Sequence, residues 1–82
     1  MSDVKSQRTM VAILRVLRDA DGPLGSERIA EELRLTGVEL SDRTIRNYLA
    51  EADRRKWTEN LGRRGRRLTS LGLREVEGAL VI

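Results

Sequence analysis

Arginine dominates the two groups of polar side chains that could do chemistry in this 82-residue chain. The first group contains Arg43, Arg46 and Asn47, which follow closely on Ser41. The guanidinium of arginine pairs with O6 and N7 of guanine, and the amide of asparagine pairs with N6 and N7 of adenine. The second group places four arginines around one glycine: Arg63, Arg64, Arg66 and Arg67. Because localised positive charge attracts polyanions, both groups are typical of a nucleic-acid contact.

Composition excludes most other chemistry. The chain contains no histidine and no cysteine, which removes disulfides, imidazole or thiolate metal sites and Ser–His or Cys–His nucleophiles. Four glutamates remain for acid–base or metal work: Glu27, Glu31, Glu32 and Glu39. No glycine-rich phosphate loop accompanies them. We therefore predict no enzyme, no metal site and no cofactor in this chain.

Length and hydropathy predict one small domain over residues 1–82. Its only aromatic residues are Trp57 and Tyr48, so leucine, isoleucine and valine must form the core. No stretch approaches the roughly 18 apolar residues of a membrane span. The first ten residues, MSDVKSQRTM, are too polar for a secretory signal. We expect a cytoplasmic protein without a membrane partner.

The net charge of +3 is unevenly distributed along the chain. Residues 1–40 carry a net charge of −1, and residues 41–82 carry +4. Between Arg54 and Arg67 the only acidic residue is Glu59. A solvated charged face is the alternative interpretation of this run, but such surfaces usually intersperse both signs.

Two helices are predicted in the acidic half. Apolar residues at i, i+3, i+4 and i+7 predict a first helix from about Ser6 to Ala20. Its buried stripe is Met10, Ile13, Leu14 and Leu17. Asp21-Gly22-Pro23 ends this helix, and a second runs from Gly25 or Ser26 to Leu35. Its buried stripe is Ile29, Ala30 and Leu33.

A third helix over about 42–55 positions the first arginine group. Ser41 is a strong N-cap residue, and Asp42 places a carboxylate in the first turn. The predicted inward stripe is Ile45, Tyr48, Leu49 and Ala52. The opposite face presents Arg43, Arg46, Asn47, Ala50 and Arg54. Tyr48 is therefore mainly a core residue, with its hydroxyl at the edge of the polar face.

A hairpin over about 57–69 positions the second arginine group. Trp57–Leu61 and Arg66–Thr69 are predicted strands, and Gly62 and Gly65 bound a two-residue tip. A terminal helix capped by Thr69 or Ser70 follows the hairpin. It carries the apolar residues Leu71, Leu73, Val76 and Leu80.

The order of helix, helix, helix, basic hairpin and helix predicts a winged helix-turn-helix, mainly α with a small β-hairpin. The third helix would enter the major groove of double-stranded DNA, and the wing would contact the backbone or a minor groove. The DNA-contacting residues would be Ser41, Arg43, Thr44, Arg46, Asn47 and Tyr48 on the helix and Arg63, Arg64, Arg66 and Arg67 on the wing. Alternatively, Arg46 pairs with Asp42 or Glu51 on its own helix.

The sequence also resembles a known family. The segments ILRVL, GPLGSERIAEEL, SDRTIRNYL and LGRRGRRLTSLGL are similar to the N-terminal winged helix of archaeal nitrogen-regulation repressors of the NrpR type and their bacterial relatives. A similar domain occurs at the front of ribonuclease R. The resemblance extends from about Met10 to Ile82, and the wing motif is its most specific part. Trp57 and Asn47-Tyr48 depart from the family pattern, which bears on the bases read rather than on the fold.

This resemblance implies the DNA-binding domain of a transcriptional repressor that acts as a homodimer on an inverted repeat. In such repressors separate C-terminal domains sense a metabolite, 2-oxoglutarate in the nitrogen regulators. The tail GALVI looks like the junction into such a domain, so we expect the chain to be a fragment of a longer regulator. A small-molecule effector would bind the missing part.

Two other functions remain open at this point. The resemblance to ribonuclease R allows an RNA-associated accessory domain of a nuclease. A protein-interaction winged helix, whose arginines meet an acidic partner, is the third hypothesis.

Overall fold

Four helices and a short hairpin make up residues 4–80, the part of the chain that the computed structural model describes. Helix α1 spans Val4–Asp19, α2 spans Ser26–Leu35 and α3 spans Asp42–Arg54. Strands β1 (Thr58–Asn60) and β2 (Arg66–Leu68) form an antiparallel hairpin, and α4 spans Ser70–Leu80. The predicted element order is confirmed, and the helix ends agree with prediction to within two residues.

The helices begin and end where local chemistry predicts. Gly25 is the N-cap of α2, without a side-chain hydrogen bond. At the start of α3 the Thr44 N–H donates to Ser41 Oγ over 3.1 Å. Thr69 precedes α4, and its hydroxyl oxygen accepts from the Gly72 N–H over 3.0 Å. Each side-chain cap satisfies a backbone donor that has no partner within its helix.

The predicted stripes of α1, α2 and α3 meet in one core. The buried side chains of its main cluster are Ile13, Leu17, Ile29, Ala30, Leu33, Ile45 and Leu49. A second cluster brings α4 onto α1 and α3, and it consists of Met10, Leu14, Ala52 and Val76. Full burial of each large aliphatic side chain stabilises the fold by about 1.5–3 kcal/mol before entropy is counted. Trp57 and Tyr48, both half-buried, pack against the second cluster.

The apolar residues of α4 differ widely in their burial. Leu71 is 46% exposed and Leu73 is 37% exposed, whereas Val76 is fully buried. The reason is that Gly72 lies against the Trp57 carbonyl, where an added Cβ would be 2.1 Å from the oxygen. Helix α4 therefore packs through its Gly72–Val76 side, and the two leucines flank this contact. The side chain of Leu80, the fourth of these residues, lies outside the described ones.

The hairpin connection is longer than the two-residue tip that the sequence predicts. The last strand pair joins Asn60 to Arg66, so the connection contains five residues with a single 3₁₀ turn at Gly62–Arg64. Gly62 and Gly65 adopt positive φ angles of 68° and 97°. The strands are also shorter than predicted. Leu24, just before α2, forms an isolated bridge with Arg66, which sequence reasoning missed.

Candidate nucleic-acid interface

The recognition face of α3, defined here as Arg43, Arg46 and Asn47, is exposed to solvent. Within the described chain, the Arg43 guanidinium has no ion-pair partner, and the Asn47 amide has no hydrogen-bond partner. The face lies in the first two turns of α3, beside the helix N-terminus. Backbone N–H groups there have no acceptor within the helix, and the positive end of the helix dipole favours an anion.

Arg46 has a partner on its own helix. Its Nη2 lies 3.0 Å from Oδ2 of Asp42, four residues earlier, and both side chains are largely open to solvent. Of the two intrahelical partners that the sequence left open, Asp42 is the one observed. The other Asp42 oxygen, Oδ1, is shielded from solvent and has no hydrogen-bond partner. An exposed i,i+4 pair stabilises a helix by only about 0.3–0.5 kcal/mol, so Arg46 can exchange this partner at little cost.

The remaining predicted residues of α3 are occupied within the protein. The Ser41 hydroxyl donates to Thr44 Oγ1 over 2.9 Å, so both hydroxyls belong to the N-cap. The Tyr48 hydroxyl donates to Ser6 Oγ over 3.4 Å, at the start of α1. These three side chains border the recognition face and are already hydrogen-bonded.

The C-terminal end of α3 carries a compact group of charges. Glu51 accepts hydrogen bonds from Arg54 and Arg55, and these bonds lower the pKa of its carboxyl from the ordinary glutamate value. The Arg55 guanidinium also lies over the Trp57 ring, 5.0 Å from its centroid. Arg54, which the sequence places on the exposed face of α3, is therefore paired with Glu51 of the same helix.

The four wing arginines fall into two classes. Arg63 and Arg64, the tip arginines, lie on the 3₁₀ turn, are exposed, and have no ion-pair partner among the described side chains. Arg67 is bound across the hairpin to Glu59, its partner in the strand register, over 2.8 Å. Arg66 is bound to Asp53 of α3, and only 18% of its side chain is exposed. The sequence run alone did not distinguish these classes.

Sequence reasoning missed the residues that hold the wing in place. Asp53 accepts hydrogen bonds from both Thr58 and Arg66. Leu24 and Arg66 exchange two backbone hydrogen bonds of 3.0 and 2.8 Å. Thr58 of β1 is the buried residue that points to these contacts. It is a polar residue, it is only 5% exposed, and it therefore requires a hydrogen-bond partner.

An acidic groove lies beside the start of α3. It has a volume of about 630 Å³ and is lined by residues of α2, of the α2–α3 connection and of the first turn of α3; its charged side chains are Glu27, Glu31, Arg34, Glu39 and Asp42. In the part of the chain that the structure describes, no three acidic side chains form a group suited to a metal ion. The groove meets the recognition face at Asp42, which lines the groove and pairs with Arg46.

A three-helix core, a polar third helix and a hairpin that directly follows it define the winged-helix class of domains. The chain belongs to the ribonuclease R winged-helix domain family, whose sequence model matches residues 11–76. The winged-helix fold and the family resemblance predicted from the residues are therefore confirmed.

Curated relatives of the chain are named as nitrogen regulators. Global nitrogen regulator NrpRI of Methanosarcina mazei is 37% identical over 81 residues, covering 99% of this chain and 25% of that protein. Global nitrogen regulator NrpR of Methanococcus maripaludis is 36% identical over 69 residues, covering 84% of this chain and 13% of that protein. The NrpR of Methanocaldococcus jannaschii is 36% identical over 72 residues, covering 88% of this chain and 13% of that protein. The chain thus spans a quarter or less of these relatives.

No solved structure gives a significant match to the chain. Among the described helices, none combines the length and the apolar character needed to cross a membrane.

Proposed function

We propose that this chain binds double-stranded DNA with sequence preference, as the DNA-reading domain of a transcriptional repressor. The observation that carries the proposal is the placement of arginines that have no ion-pair partner among the described residues. Arg43 lies on α3, and Arg63 and Arg64 lie at the tip of the hairpin, whose strand β1 packs against α3. Duplex DNA presents a groove and a flanking backbone to such a pair of elements.

Helix α3 reads base edges in the major groove. A helix with side chains is about 10–12 Å wide, and the major groove of B-DNA is about 12 Å wide. The polar groups of Arg43 and Asn47 have no partner among residues 4–80 and can meet bases, and Arg46 becomes available when it exchanges Asp42 for a base or phosphate. The hydroxyls of Ser41, Thr44 and Tyr48 border this contact, next to the proposed position of the phosphate oxygens of the DNA.

The wing contacts the neighbouring phosphate backbone or a minor groove through Arg63 and Arg64. Arg67 can join this contact, because its pair with Glu59 is exposed and therefore weak. Arg66 was predicted as a wing contact from the sequence. We instead assign its guanidinium to Asp53, which already binds it in a half-buried setting.

The function of the whole protein is proposed on the basis of its relatives. Their names, global nitrogen regulators, support a regulatory role. We propose that the whole protein is a cytoplasmic repressor that binds an inverted repeat as a homodimer, with an effector site outside residues 1–82. No cofactor is assigned to this chain. An RNA-associated role is the second candidate, favoured by membership of the ribonuclease R winged-helix family.

Titration with salt tests the DNA proposal directly. We expect the chain to bind a mixed-sequence 30-bp DNA duplex with a logarithmic affinity that falls linearly with the logarithm of the salt concentration. The double substitution Arg63→Ala/Arg64→Ala should reduce this slope by roughly 1 to 2, because each phosphate contact contributes about 0.9. Fluorescence anisotropy of a labelled duplex measures both quantities.

The matched control is Arg28→Ala/Arg34→Ala, which removes two exposed arginines of α2 and should leave the slope nearly unchanged. Equal binding to an RNA duplex of the same sequence would favour the RNA-associated role. Binding to heparin but not to either duplex would contradict both nucleic-acid proposals.

A further inference from the structure

One carboxylate, that of Asp53, joins the end of α3 to both strands of the wing. Its Oδ1 accepts a hydrogen bond from Thr58 Oγ1 on β1 over 2.6 Å. Its Oδ2 accepts from Nη2 of Arg66 on β2 over 2.9 Å and from Nε over 3.3 Å. Thr58 is 5% exposed, and the side chains of Arg66 and Asp53 are 18% and 26% exposed. These bonds are therefore better shielded from water than the other ion pairs described above.

The backbone of β2 is bound to a second element, the connection between α1 and α2. Leu24, in the connection between α1 and α2, exchanges both of its backbone hydrogen bonds with Arg66. Gly65 approaches Leu24 so closely that a Cβ on it would lie 2.3 Å from the Leu24 carbonyl carbon. Arg66 is thus bound through its backbone to the α1–α2 connection and through its side chain to α3.

A hairpin of two three-residue strands has no stable orientation by itself. Its position relative to α3 must come from contacts with the body of the domain. We propose that Asp53 is a positioning residue that fixes the angle between the recognition face and the tip arginines, so that both reach one DNA duplex together. This inference rests on the proposed DNA binding, and it assigns Arg66 to the support of the wing rather than to DNA.

The proposal predicts an effect opposite in sign to simple electrostatics. Asp53→Asn raises the net charge from +3 to +4, which on charge alone strengthens binding to a polyanion. If Asp53 positions the wing, the variant instead binds the mixed-sequence 30-bp duplex more weakly. Its salt slope should fall by roughly 1 to 2, the contribution of the two tip arginines, although both are still present.

The matched control is Asp19→Asn. This substitution removes the same charge from another aspartate–arginine pair, that of Asp19 with Arg18 at the end of α1. It should leave duplex affinity unchanged or slightly increased. Equal behaviour of the Asp19 and Asp53 variants would overturn the proposal.

A second variant, at Arg66, tests the proposal even if Asp53→Asn does not fold. Arg66→Lys keeps the net charge at +3 but loses the bidentate geometry with Asp53. A directly bound phosphate would still attract the lysine, so an unchanged salt slope would overturn the proposal. A reduced slope that does not fall further when Arg63→Ala/Arg64→Ala is added would support it.

A measurement without DNA separates this proposal from the proposed function. ¹⁵N relaxation of the free protein reports the order of the wing tip through the Gly62 and Gly65 amides. We expect order parameters of about 0.85 for these amides in the parent chain and below about 0.6 in Asp53→Asn. Both proteins are measured at a temperature where circular dichroism shows them to be folded. An equally rigid tip in the variant would overturn the positioning role. A parent chain that binds no duplex would refute the proposed function, while the relaxation result would still decide whether Asp53 holds the wing.

Discussion

At the scale of single residues, the partner of each arginine matters more than the number of arginines. Arg63 and Arg64 lie beside Arg66 in a nearly uniform basic run, yet Arg66 is committed to Asp53 and the tip arginines have no ion-pair partner among the described residues. The same distinction separates Arg43 from Arg46 on α3. A basic run in a sequence therefore predicts a basic surface but does not say which of its cations are free.

The pair of Asp42 with Arg46 leads to a prediction about base discrimination. We expect Asp42→Asn to increase affinity for unrelated duplexes, because it removes a negative charge near phosphates and releases Arg46. Discrimination between a selected duplex and a scrambled one should fall by about five- to tenfold, at the lower end of the range of one well-oriented base contact. Dissociation constants for a duplex recovered from a randomised pool and for its scrambled form measure this ratio.

Glu39→Gln is the matched control for Asp42→Asn. Glu39 lines the same acidic groove and is exposed. If its removal lowers discrimination as much as Asp42→Asn does, the release of Arg46 is not the cause.

At the scale of elements, close backbone contacts decide how the helices dock. Helix α4 makes its closest backbone contact at Gly72, where an added Cβ would lie 2.1 Å from the Trp57 carbonyl oxygen. The contact explains why Leu71 and Leu73 remain exposed despite their apolar character. Hydrophobic periodicity predicts that α4 is a helix, but the side that it buries depends on this glycine.

Gly72→Ala should therefore destabilise the domain. Moving α4 to admit the methyl group should cost about 1–3 kcal/mol, as for other overpacked sites. Gly78→Ala in the same helix is the control, because within the described part of the chain an added Cβ meets no packed neighbour outside its own helical turn within 4 Å. It should be neutral or stabilise by up to about 1 kcal/mol, since alanine favours the helix. Urea unfolding followed by circular dichroism measures both, and similar effects at the two positions would contradict this account of α4.

At the scale of the whole molecule, the described residues provide one helix with a recognition face, α3, and one wing. The Cα extents are 33 × 26 × 24 Å, and one turn of B-DNA is about 34–36 Å long. Two copies therefore fit on one face of a duplex, one helical turn apart, when either of the two shorter extents runs along the duplex axis. This size is compatible with the proposed homodimer on an inverted repeat.

Joining two copies through a dimerising coiled coil should raise the apparent affinity for an inverted repeat of the selected sequence. The expected gain is about 10²- to 10⁴-fold over the single domain, because the second binding event becomes intramolecular. Anisotropy titrations against duplexes with one and with two half-sites measure the gain. An equal gain on both duplexes would argue against paired half-sites.

Short-range interactions made much of this protein predictable from its sequence. The stripes of α1 to α3, the N-cap at Ser41 and the polar face of Arg43, Arg46 and Asn47 depend on neighbours within about four residues. Such spacing is readable along the chain, and together with the basic hairpin it predicts the winged-helix fold. The acidic and basic halves are equally visible in the sequence.

Only the tertiary structure decided which cations are free and how the wing and α4 are held. Asp53 reaches Arg66 thirteen residues away, Leu24 pairs with the same arginine, and Gly72 lies on Trp57. These contacts join segments that no local period relates. They form because short strands and a half-buried carboxylate must find partners elsewhere in the fold, and packing selects which partners come within reach.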